Sequence, residues 1–361
     1  MACENLVFWV AIVLLGLVHN QSFVVGEPQV PCLFIFGDSL SDSGNNNNLL
    51  TSAKANYQPY GIDFPNGPTG RFTNGRTGVD IIAELLGFNN FIPPFATVAG
   101  PDILKGVNYA SGGSGIRDET GQHLGAHISF DLQLINHKIV ISGIANAKRL
   151  RKSYIAQEQL NKCLYYVGIG SNDYINNYFL PEFYPTSRLF NPQQYAVVLI
   201  EQYNLQLRVL YQLGARKFAL VGLGLIGCTP NALFSHKING TSCVQEMNTA
   251  VVIFNDKLIS LIDRLNQELS DAKFIYVNTT GLLSGNPASA GFKVFSVGCC
   301  PVGKNGQCNP SQAPCQNRNE YLFWDSFHPT EAVNQITAAR SYKASSPFDT
   351  YPMDISHLVQ Q

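Results

Sequence analysis

Charge is scarce in this chain. Only 14% of its 361 residues are Asp, Glu, Lys or Arg, well below the roughly one quarter that is usual in soluble domains. The 24 basic residues almost balance the 25 acidic ones, and the formal net charge is -1. No summed positive field is present to attract nucleic acid or an anionic membrane surface, so we expect neither as a partner. Solubility must rest on uncharged polar residues and glycans, which suits a secreted protein.

The chain also has no apolar run long enough to cross a bilayer. The longest run, residues 6–18, has thirteen residues, whereas a membrane-spanning helix needs about 20. Its length fits the core of a signal peptide, and Val24 and Gly26 have the spacing of a cleavage site. We therefore expect residues 1–26 to be removed and no stable membrane insertion. The positive charge that usually precedes such a run is missing, which leaves a buried amino-terminal helix as the alternative.

No C-x-x-C motif occurs among the nine cysteines, which argues against a zinc site. Cys3 would leave with the signal peptide, and eight cysteines would remain. Cys299, Cys300, Cys308 and Cys315 lie in one loop rich in Gly, Pro and Asn, with no His among them. Two adjacent cysteines are awkward ligands for one tetrahedral metal ion. We expect local disulfides in this loop and no bound metal.

The other four cysteines also suggest an oxidising compartment. Cys228 and Cys243 bracket another loop and form a plausible second bridge. Cys32 and Cys163 each begin a predicted strand, so they either pair across neighbouring strands or remain as buried thiols. Two triplets become acceptors for N-linked glycans if the chain is secreted: Asn239-Gly-Thr and Asn278-Thr-Thr.

Short apolar and aromatic runs alternate with longer segments that have the spacing of amphipathic helices. The helical segments are 194–213, 247–269 and a helix that begins within 330–340. This alternation predicts an α/β fold with a mainly parallel sheet covered on both faces, in one domain over 27–361. The predicted strands are CLFIF (32–36), CLYYVGI (163–169), KFALVG (217–222) and KFIYV (273–277), with GVNYA (106–110) as a fifth.

The first predicted strand leads directly into Gly37-Asp38-Ser39-Leu40-Ser41. Ser39 therefore falls at the carboxyl end of a parallel strand, where open α/β sheets bind their ligands. A nucleophile would be expected at this position. A serine after a strand is more often a turn or helix-cap residue when it stands alone.

An Asp and a His occur three residues apart near the carboxyl terminus, in Asp325-Ser-Phe-His328-Pro329. Pro329 disfavours helix at His328, so the pair should lie in a loop. There Asp325 can accept a hydrogen bond from one imidazole nitrogen and leave the other free to take a proton from serine. By itself the spacing is weak evidence, because a capping Asp beside a surface His gives the same pattern.

Two further segments place small residues and Asn at strand ends. They are Asn108-Tyr-Ala-Ser-Gly112-Gly113-Ser-Gly and Gly168-Ile-Gly-Ser-Asn172-Asp. A backbone amide or an Asn side chain in such a position can stabilise a bound oxyanion. Taken singly, both segments are ordinary turns.

Together, in this order, FGDSLSDSGNNN, NYASGGSGI, GIGSNDY and DSFHPT resemble the four sequence blocks of the plant GDSL esterase/lipases, a branch of the SGNH hydrolases. The resemblance covers essentially the whole mature chain. It implies a flavodoxin-like three-layer α/β/α sandwich with a five-stranded sheet, and ester hydrolysis without metal or cofactor. It also implies residue roles: Ser39 as nucleophile, His328 as base, Asp325 orienting His328, and an oxyanion hole from the amides of Ser39 and Gly112 and the side chain of Asn172. Gly113 is close enough to Gly112 in sequence to be the alternative to it.

The resemblance favours a secreted hydrolase of lipid or other acyl esters, acting on a small-molecule, lipid or cell-wall substrate. An acyltransferase using the same acyl-enzyme and a non-catalytic binding protein are the alternatives, and the oligomeric state is left open. The sequence G-x-G-x-x-G at 222–227 resembles a dinucleotide site, but Pro230 argues against the helix that such a site needs. His123 and His127 have a spacing that suits a metal only on a helix, which Gly125 weakens. No G-x-S-x-G motif of the α/β-hydrolases occurs.

Overall fold

The computed structural model describes residues 26–148, 153–238, 242–282 and 287–361. Residues 1–25 of the expected signal peptide, and the glycan acceptor Asn239, lie outside these ranges. Within them, no helix is long and apolar enough to cross a membrane.

A five-stranded sheet forms the centre of the fold. In spatial order its strands are β1 (Leu33–Gly37), β2 (Leu164–Gly168), β3 (Lys217–Val221), β4 (Lys273–Val277) and β7 (Thr350–Tyr351). The first four strands are parallel. Every residue of β1 is buried, as expected for a strand covered on both faces. The register aligns one aromatic residue from each parallel strand in a row across one face, which explains the conspicuous aromatic content of these runs.

The fifth strand is not the one predicted. The segment 106–110 makes two isolated parallel bridges, from Asn108 to Ile35 of β1 and to Pro94, and lies beside the sheet without forming a strand. The fifth strand is β7, which pairs antiparallel with β4 through Tyr351 and Thr350. With two residues it is too short to show an alternating pattern in the sequence.

Helices cover both faces of the sheet and give three layers. One apolar core lies between the sheet and the helices Phe130–Lys148, Pro192–Gln212 and Gln245–Glu268. The second core lies on the opposite face, under the helices Gly78–Leu85 and Glu331–Tyr342. This arrangement confirms the predicted α/β fold with a mainly parallel sheet. The three predicted helices are present, with ends that differ by one to two residues from those expected.

One prediction about helices was wrong. A six-residue helix, Pro230–Ser235, begins at the proline that was expected to prevent one. The reason is that proline is tolerated in the first turn, where its missing N–H has no helical partner, and Thr229 caps the helix by accepting from the Ala232 amide. The remaining helices are short or lie near the site: Ser153–Lys162, Ser171–Asp173, Thr186–Leu189, Thr279–Leu282 and Ile355–Leu358.

All eight cysteines after Cys3 form disulfides. The uncertain pair proves to be a bridge, Cys32–Cys163, across the amino ends of β1 and β2. The long loop around a second, two-stranded sheet, β5 (Val294–Gly298) and β6 (Tyr321–Phe323), carries two bridges. The other three disulfides are Cys228–Cys243, Cys299–Cys315 and Cys300–Cys308, so the prediction of local bridges is confirmed.

Candidate active site

Ser39 lies in a tight turn at the carboxyl end of β1. The amides of Ser41 and Asp42 both donate to the Asp38 carbonyl, at 3.1 and 3.0 Å, and the Leu40 amide donates to the Asp38 carboxylate at 3.0 Å. Gly37 is needed because a side chain there would lie 2.5 Å from the Gly168 carbonyl of β2. The turn presents the half-buried Ser39 at the sheet edge.

The loop that carries Asp325 and His328 brings both side chains to this serine. His328 Nε2 lies 2.7 Å from Ser39 Oγ, and His328 Nδ1 lies 2.7 Å from Asp325 Oδ2. The Trp324 amide closes the loop by donating to the His328 carbonyl at 2.7 Å. Residues 289 positions apart in sequence therefore form one continuous hydrogen-bonded chain.

Burial and hydrogen bonding fix the protonation pattern of this chain. Asp325 is fully buried, and its Oδ1 accepts the amides of Phe327 and His328, both at 2.8 Å. These donors stabilise a carboxylate, which can only accept, so Nδ1 of His328 carries the proton. Nε2 is then the acceptor that faces Ser39. The arrangement suits proton transfer from the serine hydroxyl.

Two buried carboxyls lie beside the serine turn. Burial raises the pKa of Asp38 to about 6, although hydrogen bonding from Leu40 and the charge of His328 oppose the shift. Burial likewise raises the pKa of Asp42 to about 6, against hydrogen bonds from several backbone amides, first that of Gly44. Both groups can change charge in the mildly acidic range.

Asn172 lies in the one-turn helix Ser171–Asp173 that follows β2. Its Nδ2 donates to the Ser114 carbonyl at 2.9 Å, and its Oδ1 accepts from Asn176 at 2.6 Å. These contacts orient the amide group and use one of its two protons. The other proton is available to a ligand, as an oxyanion donor requires.

The geometry corrects the expectation for Gly112. Its amide donates to Asp42 Oδ2 at 3.0 Å, and is therefore not free for an oxyanion. The next residue, Gly113, has a positive φ of 85°, which favours glycine. Among the residues that the structure describes, its amide makes no hydrogen bond. Gly113 replaces Gly112 as the candidate for the second backbone donor.

The asparagine run at 45–48 connects the serine turn to the segment that follows Asn108. Asn45 donates to the carbonyls of Asn108 and Ala110, at 2.9 and 2.7 Å, and Asn46 donates to the Gly112 carbonyl at 2.9 Å. Both side chains are buried. These hydrogen bonds connect the serine turn to the segment that contains Gly113. The backbone amides of Ser39 and Gly113, the two candidate donors, are therefore held in position relative to each other.

His123 and His127 are not brought together with the site residues. His123 stacks on Phe183 with ring centroids 5.0 Å apart, and the Nδ1 of His127 lies 3.3 Å from the Gly125 carbonyl. Over the described ranges, no group of three or more His, Cys, Asp or Glu side chains is arranged to hold a metal ion.

The sequence matches a family of known proteins over most of its length. Residues 33–341 match the sequence profile of the family described as GDSL-like lipase/acylhydrolase. The chain belongs to this family. As a GDSL-like lipase/acylhydrolase, it is an acyl ester hydrolase, and the matched residues contain every residue of the hydrogen-bonded chain described above.

Relatives of this GDSL family member are found in Arabidopsis thaliana. The chain is 56% identical to GDSL esterase/lipase At1g29670 over 340 residues, which are 92% of this chain and 93% of that protein. It is 53% identical to GDSL esterase/lipase At1g29660 over 355 residues, 97% of this chain and 96% of the relative. It is 54% identical to GDSL esterase/lipase At5g45670 over 339 residues, with coverage of 92% and 93%.

Proposed function

We propose that the protein is a secreted serine hydrolase that cleaves esters of apolar acyl groups through a Ser39-His328-Asp325 triad and an acyl-enzyme. The observation that carries the proposal is the chain of 2.7 Å contacts from Ser39 Oγ to His328 and on to Asp325. A hydroxyl, an imidazole and a buried carboxylate in this order form the template for nucleophilic acyl transfer.

The reaction has two steps of the same kind. His328 Nε2 takes the Ser39 proton while Oγ attacks the ester carbonyl carbon, and the carbonyl oxygen becomes an oxyanion. The amides of Ser39 and Gly113 and the Asn172 side chain are the proposed donors to that oxyanion. As the tetrahedral intermediate collapses, the C–O bond to the alcohol breaks, and His328 returns the proton to that alcohol. Water then attacks the acyl-enzyme by the same route and releases the acid.

Exposed apolar side chains on elements that carry or contact the triad support an apolar acyl group. Leu40 follows the nucleophile and is 44% exposed, and Phe234 is 86% exposed. Phe234 lies in the helix Pro230–Ser235, whose Asn231 amide donates to the Ser326 carbonyl in the His328 loop at 3.0 Å. Large apolar groups left in water on such elements provide contact area for a lipid-like chain.

Secretion of one domain over 27–361 is supported by the apolar run at 6–18, which resembles a signal peptide, and by the disulfides. Four bridges are formed, and such bridges persist in oxidising compartments. Asn239 is the preferred glycan acceptor of the two triplets. Asn278 uses its side-chain nitrogen in a hydrogen bond to the Phe348 carbonyl at 2.8 Å and its oxygen in one from Thr280 at 2.7 Å.

Turnover of a series of p-nitrophenyl esters, from acetyl to palmitoyl, tests the proposal. We expect kcat/KM to rise with acyl length in the wild type and turnover to vanish in Ser39→Ala. Equal turnover by the two proteins would contradict the proposal. Ester binding without cleavage would favour the binding protein instead. A product analysis with added butanol distinguishes the acyltransferase, which would form the butyl ester in preference to the free acid.

A further inference from the structure

Asp325 has a buried partner outside the triad. The hydroxyl of Tyr60 lies 2.6 Å from Asp325 Oδ2, although the two residues are 265 positions apart in sequence. Oδ2 is the same oxygen that lies 2.7 Å from His328 Nδ1. Tyr60 is fully buried, so no water competes for this contact.

The direction of the Tyr60 hydrogen bond is fixed by its second neighbour. The Cys308 amide donates to the Tyr60 hydroxyl oxygen at 3.2 Å. An amide N–H can only donate and a carboxylate can only accept, so the phenol proton must point toward Asp325. Burial and the negative charge of Asp325 raise the pKa of Tyr60 well above its usual range. Tyr60 is therefore a permanent donor.

The surroundings hold the Tyr60 ring in place. It packs edge-on against Tyr57, with ring centroids 5.3 Å apart, and against Phe72 at 6.0 Å. The Tyr57 hydroxyl donates to the Cys308 carbonyl at 3.0 Å, and Cys308 is bonded to Cys300. The cross-linked loop thus fixes the peptide that orients the Tyr60 hydroxyl.

We propose that Tyr60 is a positioning residue, which holds the Asp325 carboxylate in place and sets the pH at which His328 can act as a base. The proposal rests on the triad function above. A donated hydrogen bond withdraws charge from Oδ2, the oxygen that faces His328. Without it, the more negative carboxylate would make His328 hold its proton more tightly, and the free base would be populated only at higher pH.

A Tyr60 substitution leaves the other polar groups around the triad in place. The Asp38 carboxyl and His328 interact electrostatically, the Tyr57 hydroxyl lies in the field of Asp325, and the Ser39 hydroxyl lies 2.7 Å from His328 Nε2. Because a Tyr60 substitution leaves these groups in place, a change in the pH profile reports on the Tyr60–Asp325 contact.

The experiment compares Tyr60→Phe with Tyr57→Phe. Each variant removes one hydroxyl that contacts the Cys308 peptide, but only the first removes a contact to Asp325. We expect Tyr60→Phe to lower kcat/KM for p-nitrophenyl butyrate about tenfold, as for loss of one hydrogen bond to a charged group. The acidic limb of its pH profile should move up by about half a unit. The Tyr57→Phe limb should match the wild type, and an unmoved limb in Tyr60→Phe would overturn the proposal.

Proton NMR supplies a second readout that needs no substrate. The Nδ1 proton of His328, hydrogen-bonded to Asp325, should resonate far downfield, and its pH titration should shift upward in Tyr60→Phe. A wild type without esterase activity would refute the proposed function, while this titration would still decide the role of Tyr60. Should Tyr60→Phe fail to fold, replacement of Tyr60 by 3-fluorotyrosine strengthens the donor. It should move the titration to lower pH, and no movement would contradict the role.

Discussion

Two Asp-x-x-His segments in this chain make the same local contacts, from the ring and the amide of the His to the Asp, and differ in their surroundings. In Asp325–His328 and in Asp354–His357, an Asp oxygen lies 2.7 Å from Nδ1 of the His. The His328 side chain is 8% exposed, whereas that of His357 is 65% exposed. Only His328 has a serine hydroxyl on its second nitrogen. The Asp-x-x-His spacing is enough to produce the Asp–His contact. The fold decides whether a serine hydroxyl lies beside the second nitrogen of the His.

The two Asp residues also have different partners. Asp325 accepts from Tyr60, a residue brought from a distant part of the chain. Asp354 caps the helix Ile355–Leu358 by accepting from the His357 amide at 3.0 Å. The Asp325 carboxylate is part of the candidate active site. The Asp354 carboxylate stabilises a helix end, as capping residues do.

The largest expected effect comes from replacing each Asp by Asn. Asp325→Asn should lower kcat about 10⁴-fold, because the amide favours the wrong tautomer of His328, as in serine proteases. Asp354→Asn should leave kcat unchanged. Ester turnover of the two variants at neutral pH makes the measurement, with circular dichroism as the check on folding. Similar losses of kcat in both variants would show that the two Asp-x-x-His segments do not differ in function.

A smaller effect is expected from Asn172, the proposed side-chain donor to the oxyanion. Asn172→Ala should lower kcat roughly a hundredfold while the fold stays intact, the cost of one lost donor. Asn266→Ala is the matched control, because Asn266 pairs with both backbone groups of Phe274 in β4. The control should lose stability and keep its kcat. Near wild-type turnover in Asn172→Ala would remove Asn172 from the site.

The smallest expected effect is on stability. Its dependence on pH has opposite directions for Asp38 and Asp354. Asp38, beside Ser39, has its pKa raised by burial from 3.8 to about 6. Its contribution to stability is therefore present below about pH 4 and is lost as pH rises through about 6. For Asp354, burial raises the pKa, but hydrogen bonds from Ala344, Ser356 and His357 outweigh it and lower the pKa. Its contribution is present above the unfolded value of 3.8 and is lost as pH falls.

Urea unfolding from about pH 2 to pH 7 measures both contributions. Asp38→Asn keeps the oxygen that accepts from Leu40 and should remove the decline in stability toward neutral pH. Asp354→Asn should remove the loss of stability as pH falls below about 4. Parallel pH profiles for both variants and the wild type would show that neither carboxyl is perturbed.

The four parallel strands, which are buried on both faces, were predicted from the sequence. The antiparallel strand β7 was not. The runs that became β1 to β4 are continuous and apolar, the pattern of parallel strands. The segment 106–110 has the same composition, but its residues are held by single contacts to Ile35 and Pro94. Tyr351 pairs with β4 only through tertiary contacts, which a local pattern cannot reveal.

The candidate site was predictable where its residues fall in recognisable motifs, as Ser39 and Asn172 do at strand ends and His328 does in its loop. Gly112 and Gly113 could not be told apart, because the choice depends on which amide meets Asp42. Tyr60 gave no signal at all, since only the folded chain brings it to Asp325.

The proposed mechanism requires Ser39 to be an activated nucleophile. Intact-mass analysis of the purified protein after exposure to a fluorophosphonate, with Ser39→Ala in parallel, measures this activation. We expect one adduct on the wild type and none on the variant. A well-folded wild type that takes up no adduct, or a variant that is labelled equally, would contradict it.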